Sequence, residues 1–340
     1  MARKSRIDTP GALHHVTIRG IERRAVFKHA RDYEDFLTRL GNVLTETSTP
    51  CYAWVLMRNH VHLFLRTGLV SISTVMRRLL TGYAHQFNRR HRRHGHLFQD
   101  RYKSILCEEE PYLLELVRYI HLNPIRARIV KDIEALGSYP RCGHSVLMGK
   151  TKHDWQDTGY VLRRFGKTGR GARKNYVRFM EEGVPQGHRP DLVGGGLLRS
   201  VGGWSALKAL RSLGARVVGD ERILGEGDFV ESVLRQAEEA FERKAVAVAR
   251  GRDLSFLIDA VAARLKLEGG LIVSPSRARA VARGRSIVCC LAVDELAMTG
   301  FEVARRLHLS PSAVSKLASR GRRDPLTPTI KDGLFSQAPQ

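Results

Sequence analysis

Between Leu13 and Gly20 the chain reads LHHVTIRG, with apolar and polar positions in alternation, the period of a strand that buries one face. Residues 32–46 (DYEDFLTRLGNVLTE) change to apolar positions three and four apart, the spacing of a helix. Two β-rich runs follow, CYAWVLMR (51–58) and HVHLFLRT (60–67), joined so tightly around Asn59 that they predict a hairpin. SISTVMRRLLTGYAHQFNRR (71–90) returns to helical spacing, and RYKSILCE (101–108) is a further strand. EPYLLELVRYIHL (110–122) is a helix that opens on acidic residues, the favourable charge for that end of its dipole.

The order β-α-β-β-α-β, then a helix, predicts an α+β domain over residues 1–145 of ferredoxin-like form. It is an antiparallel sheet with helices on one face, the other face left bare for a site. Residues 146–203 are glycine-rich and basic and read as a connector, with VPQGHRPDLVGGG (184–196) as its best linker segment. Residues 204–250 read as a helical connector, from WSALKALRSLG to DFVESVLRQAEEAFERKA. An all-α domain is expected over 251–325 and a flexible tail over 326–340. Within that domain GFEVARRLHL, a short turn and SPSAVSKLASRG have the form of a helix-turn-helix. Ser310 is placed to cap the second helix with Pro311 at its first position, and Ala304, Leu309, Val314 and Leu317 fall where the two helices would meet.

Charge changes this picture from a fold to a partner. Of 340 residues, 57 are Lys or Arg and 34 Asp or Glu, a net charge of +23 that points to a polyanion, most simply nucleic acid. The excess is +11 over residues 1–145 and +12 over the rest, so no single basic tail accounts for it. Five cysteines without a CxxC pair fit a reducing cytoplasm better than a disulfide framework. No apolar run has the length of a membrane span and MARKSRIDTP is no secretory signal, so no membrane role is expected. The expected location is cytoplasmic, in a bacterial cell and associated with the nucleoid.

Two places carry chemistry. In a strand, positions i and i+2 share a face, so His60 and His62 project together while Val61, Leu63 and Leu65 point into a core. On spacing alone the pair fits an exposed polar face as well as half a metal site. Tyr119 and Asn123, at i and i+4, lie on one side of a helix. A phenol is a covalent nucleophile and an amide oxygen a hard ligand for Mg2+ or Mn2+, yet the same residues also suit an aromatic packed on the sheet and a helix N-cap. Tyr112, Tyr83, Tyr102 and Tyr52 are rival nucleophiles. HQFNRRHRRHGHLFQDRYK (85–103) interleaves Arg89, Arg90, Arg92, Arg93, Arg101 and Lys103 with Phe87, Phe98 and Tyr102, a pattern for phosphates and unpaired bases, or else a solvated loop.

HVHLFL preceded by MRN resembles the histidine motif of HUH enzymes. FNRRHRRHGHLFQDRYKSILCEEEPYLLELVRYIHLNPIRA resembles the block that carries the nucleophile in single-tyrosine HUH transposases, most nearly the REP-associated tyrosine transposases; the resemblance spans Gly11 to Val130. It implies that His60, His62 and Asn123 hold a divalent Mg2+ or Mn2+. It implies that Tyr119 attacks a phosphorus of single-stranded DNA at a REP-like hairpin, giving a 5′-phosphotyrosine and a free 3′-hydroxyl. Residues 253–321 resemble the DNA-binding domain of the replication initiator DnaA. There Arg277, Arg279, Arg283 and Arg285 match a basic loop, and Ser310, Ser312, Ser315 and Lys316 open a recognition helix for duplex DNA. SPSAV replaces the initiator's DHTTV, and no GxxxxGK[ST] segment is present, so neither base preference nor initiator activity is implied. Three functions are consistent with these residues: a single-strand DNA transposase or endonuclease, a DNA-binding regulator with a secondary nuclease domain, and a replication-type nicking enzyme. A homodimer is left open.

Overall fold

The computed structural model describes residues 11–187 apart from 69 and 168, residues 222–236, residues 251–335 apart from 297 and 299, and Ile7, Arg189, Leu192, Asp220 and Glu238. The side chains of Pro311 and Ser312 lie outside that description, as do most of the expected connector at 204–250 and most of the linker segment at 184–196. The chain divides into two units, Met1–Ser232 and Val233–Gln340.

The first unit is built on strands β1 (Leu13–Arg19), β2 (Cys51–Met57), β3 (His60–Arg66), β4 (Lys103–Cys107) and β5 (Ile223–Leu224), in the spatial order β2-β3-β1-β4-β5. All neighbours are antiparallel except β4 and β5, which run parallel. Alternation sorts the side chains into two layers. Val16, Ile18, Trp54, Leu56, Val61, Leu63 and Leu65 face a core formed with helices α1 (Ala30–Thr47) and α2 (Ile72–Arg90), which supply Phe36, Leu40, Leu44, Val75, Leu79, Tyr83 and Phe87. Leu13, Val55, Met57, Phe64, Ile105 and Cys107 face the opposite way into a second core.

That second core corrects the expectation of a bare sheet surface with all helices on one side. Helix α3 (Glu109–His121) lies across it, and α4 (Asn123–Arg126), α5 (Ile133–Gly137), α6 (Gly143–Leu147), α7 (Thr158–Leu162) and α8 (Gly169–Gly183) extend the cover. The expected connector at 146–203 therefore begins inside the folded unit. Val161, Tyr176 and Met180 are wholly buried, because α7 and α8 each present an apolar face that only this layer can take out of water. The outer edge of β2 is closed by the same segment: Leu56 N–H donates to Arg141 O at 2.9 Å, and Val55 and Cys51 bridge to Cys142 and Gln156. An edge strand so covered offers no template for a second chain. Residues 227–236 are helical, as their composition predicts.

The second unit holds α9 (Leu254–Arg264), α10 (Gly269–Val273), α11 (Arg279–Asp294), α12 (Gly300–Arg306), α13 (Pro311–Gly321) and α14 (Leu326–Phe335). Its core joins Leu257, Val261, Ile287, Val288, Leu291, Val303, Ala304, Val314 and Ala318. Ala304 and Val314 are buried and Leu309 and Leu317 pack beside them, as the sequence predicts for α12 against α13. Ser310 caps α13 by accepting from Ala313 N–H at 3.1 Å. At Gly321 a side chain would strike Ser286 O, 2.1 Å from an ideal Cβ, so glycine permits the close approach of α13 to α11. Residues 326–335, expected as a tail, are a helix instead. Thr327 and Ile330 lie on its buried side, and Thr327 Oγ1 donates to Gly321 O at 2.7 Å.

Candidate active site

The register of the sheet assembles the site. Thr17 of β1 stands opposite His62 of β3, and Arg19 opposite His60. His15, Thr17, His60 and His62 then share the face that α3 covers, by the period-two rule. His60 and His62 lie with ring centroids 5.2 Å apart, nearly perpendicular. Helix α3 brings Tyr119 down over them. Its ring lies 6.0 Å from that of His62 and 5.9 Å from that of His15, edge-on to both. Tyr119 is 7% exposed and His62 5% exposed, so the phenol and the imidazole meet in a nearly dry place.

Each imidazole is oriented through one nitrogen. His60 Nδ1 donates to Asn59 Oδ1 at 2.8 Å, and Asn59 is itself tied by its Nδ2 to Arg23 O at 3.0 Å. His62 Nδ1 lies 2.9 Å from His15 Nε2 and 3.3 Å from Thr17 Oγ1. Burial pushes His60 down to about 4, with Arg19 adding to the effect. Burial also holds His62 well below the ordinary imidazole range, helped by His15, His60 and Arg19. Both rings are therefore neutral at neutral pH, the form that ligates a metal. A neutral pair with engaged Nδ1 atoms, His62 buried and His60 half-buried, suits a divalent cation held through Nε2.

Asn123 does not cap α4. Its Nδ2 donates to Tyr119 O at 2.9 Å and Ile120 O at 3.1 Å, satisfying carbonyls at the end of α3. The amide is thereby fixed through Nδ2, and these two bonds leave Oδ1 out. Among the described residues no group of three or more His, Cys, Asp or Glu side chains is placed to hold a metal. The histidine pair thus has no further His, Cys, Asp or Glu ligand beside it among the described residues, and the third ligand expected from the sequence is the Asn123 amide oxygen. Arg126 completes the surroundings: its guanidinium lies 5.3 Å from the centroid of the Tyr119 ring and its Nη1 donates to Tyr119 O at 3.2 Å. Its Nε is buried without a hydrogen-bond partner.

The basic residues divide sharply. Arg89, Arg92, Arg101 and Lys103 are exposed, as are Arg277, Arg279 and Lys316. Ser315 is half-buried. Four of the arginines expected on DNA are engaged by the protein instead. Arg90 Nη1 donates to the buried Asp32 carboxylate at 2.5 Å. Arg93 holds Asn88 Oδ1 at 3.1 Å and His96 O at 3.2 Å. Arg283 forms a two-pronged pair with Asp324, at 2.7 and 2.8 Å. Arg285 gathers the carbonyls of Ile272, Ser274 and Ser276, shaping the loop before α11 rather than reaching out of it. For Arg90 and Arg283 the partner is remote in sequence, and for Arg93 and Arg285 it is an uncharged oxygen, so none left a trace in the local charge pattern.

Sequence reasoning missed His15, Thr17, Asn59 and Arg126. The signal for the first two is the LHHVTIR alternation itself, which places His15 and Thr17 on one face; their meeting with His62 depends on the β1–β3 register. Asn59 was visible as the hairpin turn and Arg126 as the residue one helical turn beyond Asn123.

Tyr119 thus lies edge-on to His62, which shares a strand face with His60, so a phenol and two neutral imidazoles are gathered in one place. Residues 10–123, about a third of the chain, match the family model described as Transposase IS200 like, and that match supports a transposase-like role in DNA processing. A solved structure of a REP-associated tyrosine transposase bound to a REP hairpin resembles the chain at 19% identity, covering 46% of this chain and 91% of that one with a TM-score of 0.37. No curated protein matches the chain. No helix among the described residues is long and apolar enough to cross a membrane.

Proposed function

We propose that the chain is a metal-dependent, single-tyrosine DNA transposase or endonuclease that cleaves and rejoins single-stranded DNA at REP-like hairpins. The observation that carries this reading is the meeting of Tyr119 with His62 across the α3–sheet interface, within the segment that matches the transposase family. Tyr119 Oη gives up its proton and attacks phosphorus, the bond from phosphorus to the 3′ oxygen breaks, and that oxygen takes up one proton in turn and leaves as a 3′-hydroxyl. The 5′ side stays joined to the phenol as a phosphotyrosine. Attack by another 3′-hydroxyl reverses the step without ATP, because one phosphodiester replaces another. A Mg2+ or Mn2+ ion held by His60, His62 and Asn123 would supply Lewis acidity at a non-bridging phosphate oxygen.

The protein's own part is to hold the nucleophile still. The Tyr119 ring is confined by His15, His62 and the Arg126 guanidinium, and its carbonyl is gripped by Asn123 and Arg126. Positioning of this kind lowers the barrier by removing orientational entropy before the reaction begins. The exposed Arg89, Arg92, Arg101 and Lys103 are suited to the hairpin backbone, and Arg277, Arg279 and Lys316, with Ser312 and Ser315, to duplex DNA read by a helix-turn-helix.

The test is a labelled REP-like hairpin incubated with the protein and Mg2+ or Mn2+, then run on a denaturing protein gel. A shifted covalent band is expected from the natural chain. Tyr119→Phe should lose the band by at least about a thousandfold while retaining hairpin affinity, because only the attacking oxygen is removed. A band that persists in that variant overturns the assignment of the nucleophile. The exposed basic residues of the second unit favour one alternative, a site-specific DNA-binding regulator. Tight DNA binding with no band in any metal would establish that reading instead.

A further inference from the structure

The contact between His15 and His62 has a consequence for how the candidate metal centre is set. We infer that His15 is a positioning residue, whose imidazole fixes His62 in the tautomer that presents Nε2 as a ligand atom; this rests on the metal-dependent reading above.

His15 Nε2 and His62 Nδ1 are 2.9 Å apart, close enough that one hydrogen lies between two neutral rings. If it belongs to His62 Nδ1, then His62 Nε2 carries a lone pair and is ready to ligate. If it belongs to His15 Nε2, then His62 carries its hydrogen on Nε2 and is closed to a metal. The neighbouring His60 faces no such choice. Asn59 Oδ1 only accepts, so His60 Nδ1 must donate and Nε2 must be bare. His62 therefore depends on His15 for the arrangement that Asn59 gives His60 outright.

Three features hold His62 against His15. Thr17 Oγ1, 3.3 Å from His62 Nδ1, is a second hydrogen-bond partner for that nitrogen. His15 is 0% exposed, so no bulk water competes for its Nε2. The two rings stack at 5.2 Å with a 25° angle between their planes, which restrains His62 from turning. In metal sites at large, the partner of a ligating histidine is commonly a carboxylate, a carbonyl or water. Here a second, buried imidazole takes that place and adds no charge to the site.

The experiment uses the full chain without DNA and reads Mn2+ binding by calorimetry. His15→Leu removes the acceptor and should weaken binding by about 10- to 100-fold, the usual cost of losing such a partner. His15→Gln returns an acceptor oxygen near the position of Nε2 and should restore affinity to within about threefold. Nitrogen-15 shifts of the imidazoles give a readout that packing alone would not move. In the natural protein His62 should carry its hydrogen on Nδ1, and in His15→Leu that preference should be lost. A folded His15→Leu protein that binds Mn2+ as the natural chain does overturns the inference, as does a natural chain whose metal-free His62 is protonated on Nε2. The nitrogen shifts are read whether or not Mn2+ binds. A natural chain with the expected tautomer but no Mn2+ affinity thus sinks the metal-dependent reading and leaves the His15–His62 geometry standing.

Discussion

At the scale of single residues, the buried histidines make the first unit sensitive to mild acid. Burial lowers both His14 and His144 from 6.5 to about 4, and each has an Nε2 with no hydrogen-bond partner. The sign follows from where the protons go. Between pH 6.5 and 4 the unfolded chain binds protons that the folded chain refuses, so stability is complete above pH 6.5 and falls as pH drops towards 4. Each ring contributes a loss of about 2 kcal/mol by pH 5. Thermal melting should therefore shift down markedly between pH 7 and pH 5. A His14→Gln, His144→Gln double variant should show a flatter pH dependence, whatever its stability at pH 7; equal slopes for the two proteins would refute the assignment. The same scale shows what sequence could and could not reveal. His60 and His62 were legible because their spacing of two defines a shared face, and Tyr119 and Asn123 because a spacing of four does. His15 stayed hidden because its neighbour comes from a strand 47 residues away, and pairing register is written in no local pattern.

Between elements, the fold of the α3 layer depends on one buried phenol. Tyr176 of α8 is hydrogen-bonded through its hydroxyl to His121 Nδ1 at 2.9 Å and His144 Nδ1 at 2.8 Å, linking α8 to the end of α3 and to α6. A hydroxyl donates one hydrogen and accepts others, so Tyr176 partners both Nδ1 atoms at once, while the two Nε2 atoms are buried without a hydrogen-bond partner. Removing the oxygen leaves two buried ring nitrogens without partners, each costing roughly 1–3 kcal/mol. Tyr176→Phe should thus destabilise the first unit by about 3 kcal/mol in urea unfolding, although the ring that fills the core is unchanged. Because α3 carries Tyr119, adduct formation at the hairpin should fall more steeply with temperature than in the natural protein. A loss below about 0.5 kcal/mol would mean that the network does not hold α3. The strands and α1 to α3 were legible in the sequence, since each is long enough to repeat its period. The layer from α5 to α8 was not: α5, α6 and α7 are five residues each, too short for a helical repeat, and their glycines suggested a linker. What makes them core is the set of tertiary partners they meet. The tail misled in the same way: the buried side of α14, Thr327 and Ile330, is recognisable only from its tertiary partners, such as the bond from Thr327 to Gly321.

For the whole molecule, the charge of +23 is informative only after arginines held by buried or half-buried carboxylates are separated from exposed cations. Arg90 is neutralised by Asp32, whose carboxyl sits at about 2: burial raises it, but the Lys28 and His29 amides, Arg90 and His91 outweigh that. Arg283 is neutralised by Asp324. Neither carries its charge to a ligand without first giving up a partner. Arg89, Arg92, Arg101 and Lys103 stand exposed in and beside the loop that leads to β4. If they neutralise phosphates, each releases counterions when DNA binds, and binding weakens with salt accordingly. Replacing all four with Gln should weaken hairpin binding and reduce the slope of log K against log salt by about three, near 0.7 for each single-strand phosphate lost. Arg90→Gln should leave that slope alone and instead destabilise the fold, since it uncovers a buried carboxylate. Titrating hairpin affinity from low to moderate salt for the natural chain and both variants separates the cases. A slope that drops for Arg90→Gln and holds for the fourfold variant would reverse the division of cations drawn from the structure, and would move the DNA path from the β4 loop to the α1–α2 side of the unit.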